Sequence, residues 1–244
     1  ESELIGAYLP PLNGSQEPYT GTYRILNLSD AYLPFMVRIL ESDGDTGTYA
    51  AGLAANQTFQ SSQISLSQYI PGAANTGPLG DAPCSVIVTA PSAYIAGQCI
   101  LQGYGQVTYR MIRRFRLDAH TPPANAGVKL LAAGLPAITG VTGRFTTCLL
   151  INPGDTPLQA FFTAAEQDGD RGQKIEVIPP HASLVVRLDS LWVQQAVWQS
   201  SSPGNETYLL SVYVPSPLPE GQVIIRNLSA LEISVLPMEK IYTP

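Results

Sequence analysis

Residues 27–47, NLSDAYLPFMVRILESDGDTG, and residues 152–172, NPGDTPLQAFFTAAEQDGDRG, align without a gap at an offset of 125. Eight of these 21 positions are identical, where about one is expected from ordinary residue frequencies. The shared residues are Asn27/Asn152, Asp30/Asp155 and Leu33/Leu158, followed by Glu41-x-Asp43-Gly44-Asp45-x-Gly47 against Glu166-x-Asp168-Gly169-Asp170-x-Gly172. Each copy is an extended apolar run between two turn signals, the second an Asp-Gly of hairpin type.

Two further blocks keep nearly the same spacing. Pro91-Ser92-x4-Gly97-Gln98-x-Ile100 matches Pro215-Ser216-x4-Gly221-Gln222-x-Ile224 at 124, and Leu4, Ala7, Leu9, Pro10 and Gly14 match Leu130, Ala133, Leu135, Pro136 and Gly140 at 126. Three blocks in one order at nearly one offset predict an internal duplication. The units are expected at 1–117 and 127–244, with a linker at 118–126 whose two prolines and small residues lack periodicity.

Within unit 1, strands are expected at 4–9, 23–28, 33–41, 48–53, 58–66, 85–89, 94–101 and 107–112. In unit 2 they are expected at 175–178, 183–188, 208–214 and 218–225. Short strands with turns every 8–12 residues predict two all-β sandwiches in tandem. Asp189–Gln199, with Trp192 and Trp198, reads as one helical turn or as a crossover between sheets.

Composition narrows the function classes. Only 13% of residues are charged, about half the usual share, so Ser, Thr, Gln, Asn and Tyr must cover much of the surface. A net charge of −6 argues against nucleic-acid binding, which needs a basic face. The basic run Arg110–Arg116 is short and reads as an edge strand leading into the linker. No apolar run is long enough to span a bilayer. The opening Glu1-Ser2-Glu3 reads as a mature end left by signal-peptide removal, hence an extracellular or cell-surface location.

The turn motifs Leu9-Pro10-x-x-Asn13-Gly14-Ser15, Asn-x-x-Asp, Asp-Gly-Asp and Pro-Pro-x-Ala-Ser-Leu resemble tandem β-sandwich repeats of secreted, mostly uncharacterised bacterial surface proteins. The resemblance implies an immunoglobulin-like sandwich and export, and it implies no reaction.

Candidate sites are few. His120 and His181, the two histidines, fall in the linker and in a Pro-Pro-His-Ala turn, with no metal-ligand spacing around them. No nucleophile elbow and no phosphate loop appears, so neither catalysis nor a cofactor is expected. The pairs Asp43/Asp45 and Asp168/Asp170 are the best acidic constellation. Hairpin chemistry accounts for them, because Gly takes φ > 0 and Asp bonds local backbone. Calcium is the alternative, although the loop lacks the further ligands of an EF-hand.

Cys84 and Cys99 flank the Ala90-Pro91-Ser92 turn nearly symmetrically and are expected to form a cross-strand disulfide, leaving Cys148 as a buried thiol. Five of the eight asparagines, Asn13, Asn27, Asn56, Asn205 and Asn227, sit in Asn-x-Ser/Thr sequons. They are candidate glycosylation sites, with plain turn chemistry as the alternative.

Two functions follow as expectations. The first is a non-enzymatic structural protein that assembles with its own copies or with other surface components. In that reading the apolar N-terminal strand Leu4–Leu9, with little chain before it, is free to complete a neighbour's sheet. The second is an adhesin or carbohydrate-binding surface module, for which the 12 tyrosines could supply a sugar platform.

Overall fold

The computed structural model describes residues 2–10, 20–62, 74–75, 77, 79–103, 106–115, 126–139, 143–199, 204–227 and 232–243. The protein is nearly all β, with antiparallel pairing throughout the described ladders. It divides into two compact units, Glu1–Thr121 with His181–Ser183 and Pro122–Pro180 with Leu184–Pro244, so the main boundary falls at Thr121/Pro122. The expected linker straddles that boundary, but 118–125 lie outside the described residues.

Unit 1 contains β1 (Ser2–Leu9), β2 (Thr20–Asn27), β3 (Leu33–Glu41), β4 (Thr46–Leu53), β5 (Thr58–Ser62), β6 (Ala74–Asn75), β7 (Cys84–Ala90), β8 (Ile95–Gln102), β9 (Gln106–Arg110) and β10 (Ile112–Phe115). One sheet runs β10-β1-β7-β3-β4-β6 and the other β5-β2-β8-β9. Alternation is clear over the first part of β3. Along β3, Leu33, Phe35, Val37 and Ile39 are buried, while Pro34 and Met36 between them are exposed, the period-2 pattern of a sheet with one face in a core.

The inner faces meet in unit 1. Phe35 on β3 lies edge-on to Phe59 on β5, with ring centroids 5.7 Å apart. Tyr23 on β2 and Tyr49 on β4 share a hydrogen bond between their hydroxyls. Gly6 on β1 faces Cys99 on β8 so closely that an added Cβ would collide with its sulfur. A glycine is needed there because the two sheets approach each other at that point.

Unit 2 contains β11 (Gly127–Leu135), β12 (Arg144–Asn152), β13 (Leu158–Glu166), β14 (Arg171–Ile178), β15 (Ala182–Leu188), α1 (Ser190–Gln195), β16 (Val197–Gln199), β17 (Tyr208–Val214), β18 (Glu220–Asn227), β19 (Glu232–Pro237) and β20 (Glu239–Thr243). Its sheets run β16-β14-β13-β17-β11-β20 and β15-β12-β18-β19. Strand for strand, this is the order found in unit 1. The stretch read as a helical turn or a crossover holds one short helix and then an edge strand. Asp189 caps α1 by accepting hydrogen bonds from Leu191 N and Trp192 N, and Trp192 anchors it in the core.

Three expectations need correction. The chain at 107–112 is not a single strand. At Met111 it leaves the four-stranded sheet and enters the six-stranded one, held by Met111 N donating to Gly97 O at 2.9 Å. Met238 repeats the crossing, donating to Gly221 O at 3.0 Å. Second, β1 is not a free strand. It pairs with β7 on one side and β10 on the other, with Leu4, Ile5 and Leu9 fully buried. Docking within its own unit removes the cost of an apolar edge in water. Third, Cys84 and Cys99 are not on adjacent strands. β7 and β8 belong to different sheets, and both residues are unbonded, buried thiols. The turn at 91–94 is an arch between sheets rather than a hairpin, so flanking it symmetrically does not set the two side chains across one ladder.

Candidate functional site

The two Glu-x-Asp-Gly-Asp segments close the β3–β4 and β13–β14 hairpins in the same way. Glu41 N donates to Asp45 O and Glu166 N to Asp170 O, each at 2.8 Å. Gly44 and Gly169 take φ of 102° and 99°, which a β-carbon would oppose. Asp43 Oδ1 accepts from Asp45 N and Asp168 Oδ1 from Asp170 N, each at 3.1 Å, forming an Asx turn. The turn chemistry read from the sequence is therefore present in both copies.

The geometry brings in a residue that the sequence reading left out. Glu41, Asp43 and Asp45 each offer a carboxylate oxygen, and these atoms lie within 4.8 Å of one another. Glu166, Asp168 and Asp170 do the same. The tight turn folds the glutamate at the strand end back beside the two aspartates, which Glu166 N donating to Asp170 O and Glu41 N to Asp45 O hold in place. Neither glutamate is a surface residue. Glu41 is fully buried and accepts from Gly80 N at 2.7 Å. Glu166 is 6% exposed and accepts from Glu206 N at 3.4 Å through Oε1.

Desolvation raises the Glu166 carboxyl above the usual carboxylate range. The Gly204 and Glu206 amides pull it down, while the Asp168 and Asp170 charges push it up further. Asp45 is also raised, by desolvation first and then by the Asp43 and Asp81 charges. A folded value above the unfolded 4.5 means that the folded state holds this proton more tightly. The stabilisation is complete below the unfolded value and is lost as pH rises through the folded one. In chelator-treated buffer, the stability of the wild type relative to Glu166→Gln should therefore fall as pH climbs from about 4.5 toward neutrality. Calorimetry of the pair across that range checks it, and a difference that grows with pH would contradict the shift.

The remaining candidates do not gather at this site. His181 sits in the turn after β14 with φ of 51°, and His120 lies outside the described residues. Cys84, Cys99 and Cys148 are fully buried. Burial lifts all three thiols, Cys99 to about 12, so they remain protonated and are poor nucleophiles.

Among the sequons, Asn13 lies outside the described residues, while Asn56 and Asn205 are exposed and Asn227 is half-buried. Asn27 is different. It is wholly buried, and its Nδ2 donates to Ala31 O, Leu53 O and Ala54 O at 2.8, 3.2 and 3.1 Å. Its Oδ1 accepts from Ser29 N at 3.0 Å. An amide so engaged has no room for a sugar, and the turn reading replaces glycosylation at Asn27. Asn152, outside any sequon, does the same work with Thr156 O, Ile178 O, Pro179 O and Gly154 N.

Among the described residues no helix is long and apolar enough to cross a membrane. Comparison with known proteins gave no match, either to a family model, to a curated protein or to a solved structure.

Proposed function

We propose that the chain is a non-enzymatic extracellular structural protein, made of two immunoglobulin-like sandwiches descended from one ancestral unit. In this reading it assembles with its own copies or with other surface components. The observation that carries the reading is what the two units have in common. The residues matched between them close turns or fill cores: Asn27/Asn152 clamp the chain beside a turn, Gly44/Gly169 turn a hairpin, and Leu4/Leu130 are buried. A duplication that preserves scaffold residues preserves a shape.

The β2–β5 and β3–β7 pairs correspond to the B–E and C–F pairs of an immunoglobulin sandwich. Next to β7, β1 takes the place where such a domain has its last strand. Low charge, at 13% of residues, suits a surface meant for contact rather than for remaining monomeric. Since β1 is already paired on both sides, association through it requires exchange of that strand between copies, as in domain swapping.

The test is sedimentation and electron microscopy of the purified chain over a wide concentration range. Polymers or oligomers above the 26.1 kDa of one chain are expected. A single species of that mass at every concentration removes self-assembly from the reading.

One observation favours the adhesive alternative. A cavity of about 670 Å³ in unit 1 is lined by Arg24, Gln98 and Arg110, which register places in one row across β2, β8 and β9. Arg24 is oriented by donating through Nε and Nη2 to Gln60 Oε1 at 3.2 and 2.8 Å. Such a row suits hydroxyl and acidic groups of a saccharide.

A further inference from the structure

We propose that the Glu166/Asp168/Asp170 hairpin binds a divalent cation, Ca²⁺, and that the Glu41/Asp43/Asp45 hairpin repeats the donor set. Acidic turns alone are common on protein surfaces. What sets this one apart is Glu166. The residue is 6% exposed, and its Oε2 is buried without any hydrogen-bond donor. A buried carboxylate oxygen with no donor is costly unless positive charge meets it. The same carboxyl group belongs to a set of three whose oxygens lie within 4.8 Å of one another. Three negative groups at that separation repel, and a cation among them removes both the repulsion and the unmet oxygen.

The donors select the ion. All three are carboxylates, with no histidine or cysteine in the set, which favours a hard cation over zinc or copper. Oxygens around one Ca²⁺ sit about 2.3–2.6 Å from it and so up to about 5 Å from each other. Around Mg²⁺, at about 2.1 Å, the limit is nearer 4.2 Å. Oxygens within 4.8 Å of one another can be bridged by either ion, and Ca²⁺ is favoured because Mg²⁺ dehydrates reluctantly and demands a near-ideal octahedron. Ca²⁺ takes six to eight oxygens, so water and backbone carbonyls must complete the shell. Three protein carboxylates place the site in the weak class of extracellular modules, with a dissociation constant on the order of 0.1–1 mM. The inference is independent of whether the chain polymerises.

The experiment uses the full chain after dialysis against chelator, titrated calorimetrically with CaCl₂ and, separately, MgCl₂, up to about 10 mM. Ca²⁺ should bind, Mg²⁺ should bind at least tenfold more weakly, and the double variant Asp168→Asn/Asp170→Asn should lose at least one equivalent of Ca²⁺. Asparagine keeps the Oδ1 that accepts the turn amide, so the hairpin is retained, and circular dichroism checks the fold. As a second readout, Ca²⁺ at matched ionic strength should raise the thermal midpoint of the wild type more than that of Glu166→Gln. Absence of Ca²⁺ binding to the wild type at about 10 mM overturns the proposal, as does an unchanged stoichiometry in a folded double variant.

Discussion

Replacing Asn152 with alanine should destabilise unit 2 by about 3–5 kcal/mol, one of the two largest effects expected of any single change in this protein. Asn152 is fully buried. Its amide nitrogen serves three carbonyls, those of Thr156, Ile178 and Pro179, and its Oδ1 serves the Gly154 amide. Alanine leaves all four backbone groups without this partner; the bond to the Ile178 carbonyl is buried and the other three are part-buried. Each buried group left unmet costs about 1–3 kcal/mol. The sum is smaller than four such terms, because two N–H bonds are shared among three acceptors. Asn152→Asp should be worse than alanine at neutral pH, since it turns a donor into a charge facing carbonyl oxygens. Asn27→Ala should reproduce the loss in unit 1. Urea unfolding followed by calorimetry measures both. A loss under about 1 kcal/mol would mean that the turn is held by something other than the asparagine.

Trp192→Ala should cost a similar amount, about 3–5 kcal/mol. Trp192 is 2% exposed, belongs to the unit 2 core, and stands edge-on to Trp198 with centroids 5.9 Å apart at 89°. Its helix has six residues, far too few to persist without tertiary contacts. Loss of the indole should therefore melt α1 and release β16, whose three register partners on β14 are Gln173, Gly172 and Arg171. Gly172 accommodates the Trp198 ring, because an added Cβ there would overlap it. The variant should show a lower unit 2 transition by calorimetry and altered Trp198 fluorescence. A native transition temperature would show that the helix is dispensable to the unit.

These two residues mark what the sequence made legible. The alternation of β3 and the Asp-Gly hairpins could be read directly, because a half-buried strand and a φ > 0 turn each leave a local trace. The strand change at Met111 could not. Val107-Thr-Tyr109-Arg-Met111-Ile alternates smoothly, and nothing local tells which sheet a residue's hydrogen bonds join. The same blindness misplaced Cys84 and Cys99, since an arch and a hairpin share the turn chemistry of Ala90-Pro91-Ser92. Asn27 carries two meanings in three residues, a sequon and a clamp, and only its burial distinguishes them. For the acidic site the aspartates were legible and the burial of Glu166 was not. A lone glutamate at a strand end reads as solvated until its burial is known.

The pairing of terminal strands has a mechanical consequence. In unit 1, Ser2 lies opposite Phe115 and Ile5 opposite Ile112; in unit 2, Gly127 lies opposite Thr243 and Leu131 opposite Glu239. Each unit's entering and leaving chains thus meet at one end of an antiparallel ladder. Tension applied through those chains does not shear the ladder, which would load all of its hydrogen bonds together. It peels them apart one pair at a time, beginning where the chains enter and leave, and so yields at low force. The first strand released is β10 or β20, and its departure bares the hydrogen-bonding edge of β1 or β11. An unpaired edge is a template for another strand, so pulling on such a unit would uncover an adhesive surface that is closed at rest.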